Sequence, residues 1–185
     1  MKQKDVVPAS GGWIKVNIRE FEGSPVRRIS DDWMLISAGD VSPDKGNWNT
    51  MTASWGTLGV LWNSEVIFCF IRPGRHTFGF VNTLPSFSCS FFHEKYHNAL
   101  EICGSTSGRD TDKAAKAALT PVVFEDGSIG FTEAQAVITC TKLYFHDLDP
   151  ANFLLADEIE KNYPQKDYHR MFIGKITAVR LRDWG

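Results

Sequence analysis

Short apolar segments alternate with turn-forming residues along most of this chain. The continuous apolar run at residues 66–71 has the length and bulk of a buried strand, and it ends near Pro73, since proline cannot donate to a sheet ladder. Residues 172–182 alternate apolar and polar side chains, which is typical of a strand with one solvated face. Further strands are predicted at 12–16, 32–39, 48–58, 87–92, 122–124, 129–131 and 136–145.

Helical signals are confined to three short segments. Residues 77–84 carry apolar side chains at helical spacing, 97–102 forms a brief apolar turn, and 111–119 is rich in alanine with acids at its start. No strand–long-helix rhythm repeats and no G-x-G-x-x-G is present, so the pattern favours an antiparallel barrel over a doubly wound sheet. We predict an N-terminal arm at 1–30 and a single domain at 31–185.

Composition narrows the class of protein. The 185 residues include 20 Lys plus Arg and 22 Asp plus Glu, and a net charge of −2 argues against a nucleic-acid or anionic-membrane binder. No apolar run approaches the roughly 20 residues of a membrane span, and no signal peptide is recognisable. Three of the four cysteines lie in apolar runs and no C-x-x-C occurs, which indicates reduced thiols. We therefore expect a soluble cytoplasmic protein.

The first polar cluster, residues 49–56, interrupts the apolar pattern. In an extended chain Thr52 and Ser54 share one face, where their hydroxyls can contact a ligand edge, and residues 51, 53 and 55 take the other. The same residues also fit an amphipathic edge strand, because threonine favours strands.

The second cluster, residues 72–77, lies where a strand ends and a helix begins. Free N–H groups at a helix N-terminus suit a phosphate, with Thr77 as the predicted cap and Arg75 adding a charge-assisted hydrogen bond. The alternative is a plain strand-to-helix turn with two solvated arginines, Arg72 and Arg75.

A third cluster, residues 105–113, combines hydroxyls with paired charges. It fits either a ligand-covering loop or an ordinary loop before an N-capped helix. Small hydroxyl residues leave backbone N–H groups accessible, and arginines supply planar charged forks. The three clusters together therefore suit a phosphate joined to a flat, polar-edged ring, which describes flavin mononucleotide (FMN).

One competing motif is H-E-x-x-H at His93, Glu94 and His97. On a helix it places two imidazoles on one face for zinc, with the glutamate as general base. Leu100 and Cys103 stand where the longer metzincin pattern needs glycine and histidine. A zinc hydrolase is therefore a weak alternative, and no metal site is predicted.

The order of these motifs resembles the flavin reductase-like family, especially its flavoredoxin branch. The resemblance covers about residues 33–180 and consists of N-x-M-T-x-S-W, R-P-x-R-x-T, C-G-x-x-S-G-R-D-x-D-K and a late D-x-H…F-I-G. The matching residues are Asn49, Met51, Thr52, Ser54, Trp55, Arg72, Pro73, Arg75, Thr77, Cys103, Gly104, 107–110, Asp112, Lys113, Asp167, His169 and 172–174. Two segments depart from the family pattern: Ser90 and Phe92 replace asparagine and proline, and His76 replaces a tyrosine.

The resemblance implies a mainly β protein with the FMN-binding split β-barrel fold, antiparallel and Greek-key-like, with a few short peripheral helices. By analogy, residues 52–55 line the isoalloxazine ring and ribityl chain, and Arg75 with Thr77 binds the phosphate. Ser107, Arg109, Asp110 and Lys113 close over the ring or come from a partner subunit. The full set of predicted cofactor-binding residues is Asn49, Met51, Thr52, Ala53, Ser54, Trp55, Arg72, Arg75, His76, Thr77, Ser90, Ser107, Arg109, Asp110 and Lys113.

Two functions follow from the resemblance. One is an NAD(P)H-dependent flavin reductase, in which flavin N5 receives the hydride and His169 stands on the nicotinamide side. The other is a flavoredoxin-type carrier that keeps FMN bound and is reduced by a partner protein. In both cases we expect a homodimer with FMN near the subunit interface.

Overall fold

The structure is a computed structural model that describes residues 7–9, 11–41 and 47–183. The first six residues of the predicted N-terminal arm lie outside the described residues. The strands are β1 (Val7–Pro8), β2 (Trp13–Val16), β3 (Met34–Asp40), β4 (Asn47–Ala53), β5 (Gly56–Leu61), β6 (Ser64–Ile71), β7 (Ser86–Phe91), β8 (Pro121–Val123), β9 (Ile129–Phe131), β10 (Ala136–Asp147) and β11 (Arg170–Arg182). The helices are α1 (Pro25–Ser30), α2 (His76–Thr83), α3 (His97–Ser105), α4 (Lys113–Lys116) and α5 (Ala156–Asn162), with 3-10 turns at Ile18–Glu20, Glu94–Tyr96 and Pro150–Asn152.

The main sheet has eight strands. Its order is β4-β3-β7-β10-β11-β6-β5, with β2 added alongside β11, and every pairing in it is antiparallel. A small second sheet, β1-β8-β9, contains one parallel pair. The mainly β, antiparallel architecture with a few short helices is confirmed. Within the described residues, no helix is long and apolar enough to cross a membrane.

The main sheet separates two apolar cores. Ile36 packs in one core with residues of β6, β7, β10 and β11, whereas Leu35 packs in the other beneath α3, α4 and the small sheet. Adjacent residues of β3 therefore serve opposite cores, because successive side chains of a strand point to opposite faces. This explains why β3 is buried along five consecutive positions and reads as a continuous apolar run.

Two predicted segments differ from the structure. The predicted strand at 48–58 is two strands, β4 and β5, because the chain breaks between Ala53 and Gly56. A Cβ atom on Gly56 would lie 2.4 Å from the carbonyl oxygen of Phe68, so glycine is required where β5 begins beside β6. This break between β4 and β5 opens the sheet at the point where the first polar cluster ends.

The predicted helix at 111–119 is only the single turn α4. Its first residue, Lys113, is turned inward and 2 % exposed, and Ala118 adopts a positive φ of 54° that ends the turn. Tertiary contacts of Lys113 thus override the helix propensity of the alanines. Helices α1 and α5 lie in segments for which no helix was predicted.

Candidate functional site

A cleft of about 260 Å³ lies at the break between β4 and β5, beside the end of β6 and the start of β11. Its walls are formed by Met51, Thr52, Ala53, Ser54, Trp55, Phe70, Arg72, Arg75 and His169. All of these except Phe70 are predicted site residues. The fold thus brings together residues that are far apart in the sequence: Met51 and His169 are separated by 118 positions. Phe70 was missed because the run at 66–71 was interpreted as core alone; its half-buried state shows that one side of it faces the cleft.

Both faces of the 51–55 segment contribute to the cleft. Met51 and Ala53 are almost fully buried and also belong to the core, while Trp55 is 42 % exposed. The Thr52 hydroxyl donates to the carbonyl of Leu100 in α3, and its oxygen can still accept a further bond. The segment therefore offers backbone and hydroxyl groups at a wall that the core holds rigid.

Asn49 and Thr77 form a buried layer behind this wall. The Asn49 amide nitrogen donates to the Thr77 hydroxyl at 2.8 Å, and both residues are 0 % exposed. Gly108 passes so close to Asn49 that a Cβ atom there would lie 2.1 Å from the amide oxygen. The prediction that Thr77 caps α2 is wrong: the cap is Arg75, because the helix begins at His76.

Arg75 and Lys113 are cations without an acidic partner. Within the described residues no carboxylate forms an ion pair with either one. The Lys113 Nζ donates to the carbonyl oxygens of Thr50 at 2.9 Å and Cys103 at 3.0 Å. Burial, reinforced by Arg75, lowers the pKa of Lys113 to about 8. Burial and the nearby Arg72 likewise lower the pKa of Arg75. This side of the cleft carries positive charge that the protein does not neutralise.

Arg72, by contrast, has protein partners for its guanidinium, including a carboxylate. Its guanidinium donates to the carboxylate of Asp167 at 2.7 Å and to the carbonyl oxygen of Asn162 at 2.8 Å. The same group lies over the ring of Tyr163, 5.2 Å from its centre. Arg72 therefore ties the end of β6 to the connection between β10 and β11.

His169 is a wall of the cleft and packs against Trp55, with 4.7 Å between the ring centres. It is 8 % exposed, and its Nδ1 atom lies 2.9 Å from the hydroxyl of Tyr163. Burial and the neighbouring Arg72 lower the pKa of His169 to about 4, with Asp167 acting in the opposite direction. The imidazole is therefore neutral at neutral pH.

The loop that carries Ser107, Arg109 and Asp110 lies next to the turn after β6 rather than in the cleft wall. The Arg109 guanidinium donates to the carbonyl oxygen of Gly74 at 3.3 Å, and the Ser107 hydroxyl accepts from the Arg109 backbone at 3.2 Å. Arg109 and Asp110 are exposed. Burial, together with Arg109 and Lys113, lowers the pKa of His76. A second cavity of about 530 Å³ includes Arg75, His76 and Arg109 and so continues the basic side of the cleft.

Ser90 lies outside these walls. It is fully buried in β7, between Leu35 of β3 and Val137 of β10, and its hydroxyl has no partner in the described part of the chain. The structure thus places it inside the sheet.

The H-E-x-x-H motif does not form one helical face. His93 precedes the 3-10 turn Glu94–Tyr96, and His97 begins α3 and packs against Trp33 with 3.9 Å between ring centres. Among residues 7–9, 11–41 and 47–183 no group of three histidine, cysteine or acidic side chains is arranged to hold a metal ion. The zinc alternative has no support.

The chain as a whole matches a known family. A family model described as the flavin reductase like domain matches residues 26–184, so the chain belongs to the flavin reductase-like family. No curated protein sequence matches it.

Solved structures share the fold at low sequence identity. The FMN-binding protein of Thermus thermophilus with bound p-hydroxybenzaldehyde is 22 % identical, with a TM-score of 0.60 over 80 % of this chain and 69 % of that one. Flavoredoxin of Desulfovibrio vulgaris (Miyazaki F) is 21 % identical, with a TM-score of 0.61 over 82 % and 69 %. The NADH:FAD oxidoreductase of Streptomyces globisporus C-1027 is 16 % identical, with a TM-score of 0.59 over 83 % and 79 %. The fold is the split β-barrel of flavin reductase-like proteins.

Proposed function

We propose that this protein binds FMN in the cleft lined by residues 51–55, Arg75 and His169 and catalyses its reduction by NADH or NADPH. The observation that carries the proposal is the unneutralised cation pair, Arg75 and Lys113, beside a cleft whose other walls are aromatic and polar. Lys113 is buried and Arg75 is half-buried; a cation removed from water without a carboxylate is costly for a protein to keep, and a bound anion offsets that cost.

The phosphate fits at the start of α2. Arg75 is the residue before the helix, and the first N–H groups of a helix have no partner within it. The guanidinium of Arg75 adds a charge-assisted bond from the same place. Thr77 supports this turn through its buried bond to Asn49, and His76 and Arg109 extend the basic surface next to it.

The ring fits along the 52–55 segment. Thr52 and Ser54 supply polar groups for a flavin edge, and Trp55 and Phe70 supply apolar walls that exclude water. When bound, the flavin supplies the hydride-accepting N5 atom, and the protein's task is to bind and orient the two rings. His169 is a buried wall of the same cleft, and its neutral ring suits a role in orienting nicotinamide.

A homodimer is part of the proposal. Trp55 is 42 % exposed at the mouth of the cleft, and Tyr144, Phe145 and Leu155 add exposed apolar surface on the far half of β10 and the segment after it. A second copy that covers such surface also closes a ligand site that one copy leaves open. Light scattering should give about twice the monomer mass of 20.8 kDa; a constant monomer mass at all concentrations would contradict the dimer.

A second candidate is a flavoredoxin-type electron carrier. It is favoured by the similarity to flavoredoxin of Desulfovibrio vulgaris, whose fold the chain shares with a TM-score of 0.61. The two functions use the same flavin pocket and differ in what delivers the electrons.

Anaerobic stopped-flow absorbance separates them. The protein is first titrated with FMN at micromolar concentration, and the bound flavin is then mixed with NADH, NADPH or dithionite. The reductase predicts bleaching within seconds by at least one nucleotide, with a rate that saturates with nucleotide concentration. Bleaching by dithionite alone indicates the carrier. A protein that binds no flavin at these concentrations contradicts both.

A further inference from the structure

The connection between β10 and β11, residues 148–169, supplies more to the cleft than His169. Its last part folds back on itself so that Tyr163 lies behind His169. The Tyr163 ring is 5 % exposed and packs against Phe153 and Tyr168, with ring centres 5.8 Å and 5.1 Å away. Arg72 covers it from the side of β6. The ring is thus held on three sides, and its hydroxyl has a fixed direction.

That hydroxyl has one side-chain hydrogen-bond partner in the described part of the chain, the Nδ1 atom of His169. A bond of this kind has two arrangements: the phenol donates to Nδ1, or a protonated Nδ1 donates to the phenol oxygen. In the second arrangement the phenol proton is left buried without an acceptor, which costs about 1–3 kcal/mol. Burial also raises the pKa of the Tyr163 hydroxyl, so the phenol keeps its proton. Donation from Tyr163 to Nδ1 is therefore the stable arrangement.

We propose that Tyr163 is a positioning residue that fixes His169 as the neutral Nε2–H tautomer, so that Nε2–H donates a hydrogen bond to a carbonyl or carboxamide oxygen of the molecule bound in the cleft. His169 is a cleft wall, and within residues 7–9, 11–41 and 47–183 its Nε2 atom has no protein partner. A neutral ring nitrogen that carries its proton is a donor only.

The charges around His169 agree with a neutral donor. Arg72 and Arg75 both disfavour a positive charge on the ring, and Asp167, which would favour it, is bonded to Arg72. A cationic imidazole next to these arginines would be repelled, whereas a neutral one is not. His169 is therefore suited to recognise an oxygen atom and to orient a ring, and it does not serve as a proton source at neutral pH.

The matched pair of variants is Tyr163→Phe and Tyr168→Phe. The first removes only the hydroxyl that meets His169 and keeps the ring beneath Arg72. The second removes a neighbouring hydroxyl that has no hydrogen bond in the described structure. Thermal unfolding of both variants checks that each one is folded.

The first readout is the tautomer of His169, measured from nitrogen-15 and ring-proton correlations of the full-length protein without ligand. A His169→Gln variant identifies the signal among the five histidines. We expect an unprotonated Nδ1 and a protonated Nε2 in the wild type and in Tyr168→Phe, and a mixture of the two tautomers in Tyr163→Phe. A protonated Nδ1 in the wild type, or an unchanged tautomer in Tyr163→Phe, would overturn the proposal.

The second readout rests on the proposed function. Tyr163→Phe should lower the rate constant of flavin reduction by NADH or NADPH about 2- to 10-fold, the scale of one neutral hydrogen bond, with FMN affinity unchanged. Tyr168→Phe should leave both values unchanged. An equal rate in Tyr163→Phe and the wild type would overturn the positioning role. If neither nucleotide reduces the wild type, the proposed reductase is wrong, and the tautomer measurement still decides whether Tyr163 sets His169.

Discussion

Two buried cations in different parts of the barrel have different kinds of partner. Arg180 in β11 is 3 % exposed and has two carboxylates, Asp126 at 2.7 Å and Glu125 at 3.2 Å. Lys113 is 2 % exposed and has two carbonyl oxygens but no carboxylate within the described residues. Both ions have lost water on burial. Only one of them has had its charge neutralised by the protein.

The neutralised cation, Arg180, belongs to an ion cluster that connects parts of the fold. Lys15, Glu125, Asp126 and Arg180 form a group that we call the hairpin latch, because it joins the turn between β8 and β9 to β2 and β11. Bonds from Lys15, from the backbone and from Arg180 lower the pKa of Glu125 to about 2. Bonds from Ser128 and Arg180 lower the pKa of Asp126 despite its burial. The latch is complete without any ligand.

The site that is not neutralised is the one that we propose for binding the FMN phosphate. Arg75 is a wall of the cleft, and Lys113 lies behind the wall, bonded to the carbonyl oxygen of Thr50 and near enough to Arg75 for that residue to lower its pKa. A fold that needed these cations for stability alone would gain from a carboxylate between them, as the hairpin latch does. The difference between the two regions therefore separates a structural ion cluster from the proposed anion-binding site, and the following variants test that distinction.

The largest effect is expected from Arg75→Ala. It should weaken FMN binding by about 1.5–3 kcal/mol, because a hydrogen bond to a charged group is lost. The free energy of unfolding without ligand should stay the same, since no protein carboxylate loses a partner. Fluorescence titration with FMN and chemical denaturation measure the two quantities. Arg27→Ala, an exposed arginine in α1, is the control and should change neither. Loss of stability without loss of affinity in Arg75→Ala would assign Arg75 to the fold.

The hairpin latch should respond in the opposite way. In the double variant Glu125→Gln, Asp126→Asn the buried guanidinium of Arg180 loses both charged partners. The free energy of unfolding should fall by about 1–2 kcal/mol, less than for a fully buried pair, because both acids are partly in water. FMN affinity should be unchanged. An unchanged unfolding midpoint in urea would contradict the structural role of the latch.

The same double variant predicts a pH dependence. Both carboxylates have a lower pKa in the folded state than the ordinary values of 4.5 and 3.8, so their contribution is present above those values and is lost as pH falls through the lowered values, which for Glu125 is about 2. The stability difference between wild type and variant should therefore shrink between about pH 5 and pH 2. A difference that stays constant over this range would mean that the ionised acids do not stabilise the fold.

A smaller effect is expected from Lys113→Met. FMN affinity should fall by about 1 kcal/mol through loss of a nearby positive charge, and the unfolding free energy should change by less than about 1 kcal/mol. The burial cost of the ammonium disappears together with its two bonds to carbonyl oxygens, so the two effects on stability oppose each other. Lys116→Met, an exposed lysine in the same turn, is the matched control. A large loss of stability in Lys113→Met alone would show that the carbonyl bonds dominate.

The strands were predictable because their signals are local. The run at 66–71 and the alternating segment at 172–182 became β6 and β11, with a few residues added at the ends. The helix at 111–119 was overestimated because alanine propensity says nothing about Lys113 being drawn inward by the carbonyls of Thr50 and Cys103. The hydrogen bonds from Lys113 to these carbonyl oxygens, rather than local propensity, determined the conformation of the segment.

The site was predictable at the level of motifs and less so at the level of partners. The first two clusters and His169 form the cleft, as their order in the chain suggested. Tyr163 carried no signal of its own, because its role depends on a loop that returns it to His169. Thr77 was assigned as a cap since hydroxyl residues often cap helices, but its bond to Asn49, 28 residues away, could not be read from local sequence.

The most direct test of the central claim compares FMN with riboflavin on the wild-type protein by isothermal titration calorimetry. The two molecules share the ring and differ by the phosphate, which we propose binds near Arg75, Lys113 and the start of α2. We predict that FMN binds at least about tenfold more tightly than riboflavin, the scale of one hydrogen bond between charged groups, and that the preference weakens as salt is added. Equal affinity for the two ligands would contradict the account, because the unneutralised cations would then have no part in binding.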